Sequence, residues 1–206
     1  MAQQLSLRPP ELLNGASGRA LATAGWTVVS LHFLLLAVNH WILLDQFRAQ
    51  IPAPFRKTLA QIFIVRGMRD GAGEVMALTA GAWLTVQLRP PSPDAARSRR
   101  IVSALLLSYL PVALHSMGLA AALLGGWRLD IWIASSAGAT PQAIAATLNE
   151  AVPVVMEPLA RARDVVNAFA AITLGALLRQ ACGFSAWRAA GAALGFAAVL
   201  TLARGL

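Results

Sequence analysis

The chain has 206 residues, of which 57% are hydrophobic and only 13% charged. A soluble domain carries about 25% charged residues, and a single core of this size could not hide so much apolar surface from water, so lipid must solvate part of it. The net charge of +8 is spread between apolar blocks. It forms no basic stripe with interleaved aromatics, which excludes a nucleic-acid surface and leaves the arginines to meet anionic headgroups in loops.

Cys182 is the single cysteine, so neither an intrachain disulfide nor a cysteine-built metal site is possible. Among the basic residues only Lys57 is a lysine. The bias toward arginine and alanine points to a GC-rich bacterial source.

In chain order, residues 1–20 are a polar N-terminal segment containing Pro9-Pro10 and Gly15-Ala16-Ser17-Gly18. The block 21–44 has no charge and is long enough to cross about 30 Å of hydrocarbon, with Trp26 and Trp41 toward its ends. It is too long for a signal peptide and is read as a retained span. Residues 45–71 are too polar to span. Pro54 can open an amphipathic helix there through Phe55, Leu59, Ile62 and Phe63, with Arg56, Lys57 and Arg66 toward the headgroups. An ordinary connector helix fits that pattern equally well.

A shorter second span is expected over 72–88, with Glu74 at its edge, stopped by Arg89-Pro90-Pro91. The third, 101–124, holds Pro111 near its middle, where the missing N–H predicts a kink. The connection 125–164 carries Trp127 and Trp132 as interface anchors. Thr140-Pro141 is a helix start, with Ile144 and Leu148 on one face of a short surface helix that Pro153 and Pro158 end. Spans four and five, 165–182 and 185–202, are joined at Gly183-Phe184 and flanked by Arg179 and Arg188, as in a tight hairpin. Gly175 in one and the Gly191–Gly195 spacing in the other predict close backbone approach between these two helices.

The expected fold is therefore all-α: a polytopic transmembrane helical bundle of about five spans with short interfacial helices, one membrane domain over 21–206. The arginine-flanked turns put the N-terminus in the cytoplasm of a bacterial inner-membrane protein.

Candidates for chemistry are few. Gly15-Ala16-Ser17-Gly18 matches the GxSG string of rhomboid-type serine proteases, but His32 and His115 would lie about 20 Å deeper, so the serine has no base. Carboxylates are missing from the spans except Glu74 at an edge, which argues against an ion-coupled carrier. No phosphate-binding loop, dinucleotide fingerprint or acid pair suggests an enzyme. The polar residues left inside the spans are chiefly His32, Asn39, His40, Tyr109 and His115. Interhelical hydrogen bonds worth about 1 kcal/mol each are the ordinary use of such groups, or they line a small polar cavity.

The segment Ser108-Tyr109-Leu110-Pro111 resembles the third span of the Yip family of multispanning membrane proteins. Val166-Asn167-Ala168-Phe169-Ala170-Ala171-Ile172-Thr173-Leu174-Gly175 is similar to that family's fourth span, and Cys182-Gly183-Phe184-Ser185-Ala186-Trp187-Arg188 to its small-residue turn. The resemblance covers roughly residues 72–206. It implies a non-catalytic protein that organises membrane or partner proteins, with the bilayer, a membrane-protein partner or a second copy as its contacts. The acidic segment that eukaryotic members carry is missing, so no small-GTPase contact is transferred. Two other functions compete. His32 and His115 both fall near the middle of their spans, as the axial ligands of a b-type haem would, making an electron carrier. A small-molecule permease would use the same polar residues to line a path. Hydrogen bonding is preferred to haem ligation, and no cofactor or metal is expected.

Overall fold

A computed structural model describes residues 18–88, 95–131 and 140–205. Within them the chain forms helices and no strand: α1 (Gly18–Gln50), α2 (Ala53–Gln87), α3 (Ala95–Leu107), α4 (Leu110–Leu124), α5 (Pro141–Cys182) and α6 (Ala186–Gly205). The protein is an all-α bundle. Three stretches, Ala20–Gln50, Arg99–Leu124 and Gln142–Cys182, are long and apolar enough to cross a membrane, and Ala186–Leu202 is a shorter apolar helix. Large apolar side chains, among them Leu34, Trp41, Leu114, Leu194 and Leu202, stay exposed on the outside of the bundle. In water they would cost dearly; against acyl chains they are at home.

Local signals set several boundaries. The Thr140 hydroxyl accepts from the Ala143 N–H at 3.3 Å, and Pro141 occupies the first turn, so the expected start of α5 is in place. Gly183 ends the same helix with φ 67°, a left-handed cap that suits glycine, and turns the chain into α6. The expected kink of the third span is a break: Ser108 and Tyr109 separate α3 from α4, and Pro111 lies in the first turn of α4, where its missing N–H is harmless.

Other boundaries differ from the sequence reading. Residues 45–71 hold no separate surface helix, because α2 runs from Ala53 through Gly71 to Gln87 without interruption. Its Phe55, Leu59 and Phe63 do not lie on lipid; they pack on protein with Leu43 and Phe47 of α1 and Ile144, Leu148 and Val152 of α5. Pro153 and Pro158 do not end a helix either, and α5 continues through both for 42 residues. Leu148, Val152 and Met156 anchor one face of it along the same core, and that packing outweighs two lost backbone hydrogen bonds.

Two apolar cores follow from the helix lengths. One joins Val29, Leu105, Tyr109, Leu174, Leu178 and Phe196 across α1, α3, α5 and α6. The other gathers the end of α1, the starts of α2 and α5, Leu123 and Ile131. At 1.5 Å per residue α6 is about 30 Å long, whereas α1, α2 and α5 reach about 50 to 63 Å. These three project past α6 at one end, and the second core holds the projecting parts together as a cap. The extended segment 127–131 is clamped to it. Gln46 Nε2 donates to the Trp127 carbonyl at 3.0 Å, and Gln50 both donates to the Leu129 carbonyl and accepts from the Ile131 N–H, each at 2.9 Å.

The glycines do not meet as expected. A Cβ on Gly175 would touch Ala193 Cβ at 3.3 Å, so the α5–α6 hairpin is close, but Gly195 faces Leu84 of α2 and Gly191 faces Leu88 just past its end. The GxxxG stripe of α6 therefore accommodates the second helix and not the fourth span. Ser17 of the GxSG string, Trp132 and Arg89-Pro90-Pro91 lie outside the described residues.

Candidate functional site

A chain of polar contacts ties four helices together between the two cores. His32 Nε2 donates to Glu74 Oε2 at 2.8 Å, linking α1 to α2. With that nitrogen protonated, His32 Nδ1 accepts from the Ser116 hydroxyl of α4 at 3.0 Å. The other Glu74 oxygen pairs with Arg163 Nη2 of α5. Arg163 Nη1 approaches Asp70 Oδ2 at 3.8 Å, and the same oxygen lies 3.5 Å from His40 Nε2. His40 Nδ1 donates to the Leu36 carbonyl at 2.9 Å, which fixes the ring, and Asn39 Nδ2 donates to the Ser116 carbonyl at 2.9 Å.

The charges are deeply set. Glu74 is 5% exposed and His32 1%. A carboxylate so buried is tolerable only because a guanidinium and an imidazole both satisfy it. Glu74, which the sequence reading puts at the edge of a span, is thus a buried and doubly paired member of this network. The 35-residue continuity of α2 places Glu74 well inside the bundle.

This network forms one wall of a cavity of about 230 Å³ between α1, α2, α4 and α5. Apolar side chains such as Leu36, Leu43 and Leu119 share the lining with His32, Asn39, His40, Asp70, His115 and three arginines, Arg66, Arg69 and Arg163. Arg66, half-buried, is part of this lining. A second, wider cleft of about 440 Å³ opens between the early parts of α2 and α5, and Arg66 and Arg69 belong to its lining as well.

Of the candidates expected from sequence, His32, Asn39, His40 and His115 converge on the cavity. Tyr109 is fully buried, its ring 6.0 Å from that of His32 and 5.9 Å from that of Phe196, and it supports the site from behind. Pro111 positions α4, and Gly175, Gly191 and Gly195 act in helix packing away from the cavity. Sequence reasoning missed Arg66, Arg69, Asp70 and Arg163. A signal was present: Phe55, Leu59, Phe63, Arg66, Asp70, Glu74, Ala77 and Gly81 repeat at steps of three and four, one uninterrupted helical stripe that changes from apolar to charged and back.

For haem, the geometry is unfavourable. Both ring nitrogens of His32 are engaged, one by Ser116 and one by Glu74, so iron would have to displace a buried hydrogen bond. Among the described residues no cluster of three or more histidine, cysteine or acidic side chains could hold a metal ion.

No family model matches the chain, and neither a curated protein nor a solved structure is similar to it.

Proposed function

We propose that this is a non-catalytic, multi-pass protein of the bacterial inner membrane that binds a small polar solute inside its bundle and passes it across, a permease in class. One observation carries the reading: a cavity of about 230 Å³ inside the bundle, lined from four helices and bearing several charged side chains. Ionisable groups within a membrane bundle are costly, and they are kept chiefly where a solute or ion path needs them. The Yip-like organising role would work through the outer face of the bundle, and nothing on that face is as specific as the charged interior.

The five crossings this reading uses are α1, the second half of α2, α3 with α4, the second half of α5, and α6. The cap formed by the projecting ends of α1, α2 and α5 then stands in water over the cavity.

Cysteine labelling tests the reading. In a Cys182→Ser background, single cysteines at Leu119 and Ala160 on the cavity wall should react with a charged methanethiosulfonate reagent. Cysteines at exposed Leu34 and Leu114 should stay unreactive in lipid. Proteoliposomes should then take up small polar solutes faster than protein-free vesicles. A dry cavity together with impermeable proteoliposomes would return the organising role to first place.

A further inference from the structure

Two features of the cavity lack partners, and they are of opposite kinds. The first is positive charge. Arg163 is matched by Glu74 and Asp70, and Asp70 also faces His40. Arg66 and Arg69 line the same cavity, and neither forms an ion pair with an acid among the described residues. The acids of the site thus have closer cationic partners, while half-buried Arg66, which acts on Asp70 only from beyond ion-pair distance, and exposed Arg69 keep their forks for a ligand.

The second is a buried acceptor. Asn39 is 3% exposed, and its Nδ2 donates to the Ser116 carbonyl. A carbonyl can only accept, so the amide orientation is fixed and Oδ1 is the other atom. Asn39 Oδ1 is buried and has no hydrogen-bond partner. An acceptor left this way costs about 1–3 kcal/mol, which a donor on a bound molecule would recover. A simple anion satisfies the arginines and leaves Asn39 unmet, and a neutral polyol does the reverse.

Resting on the reading of the cavity as a solute site, we infer that its ligand is a small oxyanion bearing a hydroxyl next to its acidic group. The carboxylate or phosphate lies on Arg66 and Arg69, whose planar forks match such groups, and the hydroxyl donates to Asn39 Oδ1. The two arginines also line the wider cleft between α2 and α5, which gives an anion an electropositive approach. A soluble hydroxy acid and the headgroup of an anionic phospholipid share this chemistry.

The full chain in phosphatidylcholine nanodiscs is titrated calorimetrically with four probes: lactate, propionate, glycerol 3-phosphate and glycerol. Propionate is lactate without the hydroxyl, and glycerol is glycerol 3-phosphate without the charge. The expected result is at least tenfold tighter binding of lactate than propionate, and of glycerol 3-phosphate than glycerol. Asn39→Leu should abolish the first preference, and Arg66→Gln with Arg69→Gln the second. Each comparison is a ratio within one protein, and the native ratios stand even where a variant fails to fold. In phosphatidylglycerol nanodiscs, a tenfold loss of lactate affinity identifies the headgroup as the occupant, and unchanged affinity a soluble solute. Native ratios near one for both pairs, or ratios unmoved by the substitutions, overturn the inference. If no probe oxyanion binds while proteoliposomes still take up glycerol, the ligand class fails and the permease stands. If the ratios hold but every vesicle is impermeable, the ligand class stands and transport fails.

Discussion

His32 Nε2 and Glu74 Oε2 meet at 2.8 Å across α1 and α2, and the Glu74 carboxylate is shared with Arg163 of α5. Removing the carboxylate therefore leaves a guanidinium whose side chain is only 19% exposed with the more distant Asp70, at 3.8 Å, as its remaining acid. Glu74→Leu should destabilise the protein by about 3–5 kcal/mol, and Glu74→Leu with Arg163→Leu should recover much of that. Thermal melting in detergent reads both. A double variant no more stable than the single one would show that the pair does not act as a unit.

Close helix approach gives a second expectation. A Cβ on Gly25 would lie 2.6 Å from Leu106 Cβ, an atom fixed to its helix, whereas one on Gly195 would meet Leu84 Cδ2, the far end of a flexible side chain. Gly25→Ala should thus cost about 1–3 kcal/mol, and Gly195→Ala less. Gly195→Leu should be severe and partly relieved by Leu84→Ala. The outward control is Leu202, which is 70% exposed; Leu200, two residues earlier, is buried at 4% and does not serve. Equal melting points for the Gly25→Ala and Gly195→Ala variants would contradict this order.

Which parts of this architecture the sequence announces depends on how local the cause is. Thr140, Pro141 and Gly183 act on their own turns, so the start and end of α5 are legible from a few letters. The continuity of α2 through Gly71 and of α5 through Pro153 and Pro158 is not legible, because helix-breaking rules come from water, and here packing on the second core prevails. The site is legible in part for a related reason. Histidines in apolar runs stand out, but the partners of Glu74 lie 42 and 89 residues away, at separations no periodicity within one segment can indicate.

Topology supplies a third expectation. Five crossings with the N-terminus in the cytoplasm put Arg97 inside and the C-terminus outside. Alkaline phosphatase should be active when fused after residue 205 and inactive when fused at Arg97. Inactivity at both positions would mean an even number of crossings, with α6 failing to span, whereas activity at Arg97 would mean that the second half of α2 does not cross.

The histidines give a fourth. Protein purified from a haem-replete host should be colourless, since both His32 nitrogens are already bonded. A Soret band that disappears in both His32→Ala and His115→Ala would establish the electron carrier instead.

The segment of α5 from Arg163 to its left-handed cap at Gly183 contains no proline, while Pro153 and Pro158 lie on the other side of Arg163, toward the start of the helix. Mechanically this is a stiff crank with a pivot at one end and softened joints past its working point. A tilt of about 6° at Gly183 would swing Arg163, about 30 Å along the rod, through about 3 Å. That arc is enough to lift a guanidinium off Glu74, so a modest rocking of α5 against α6 would make or break the charge contact that closes one wall of the cavity.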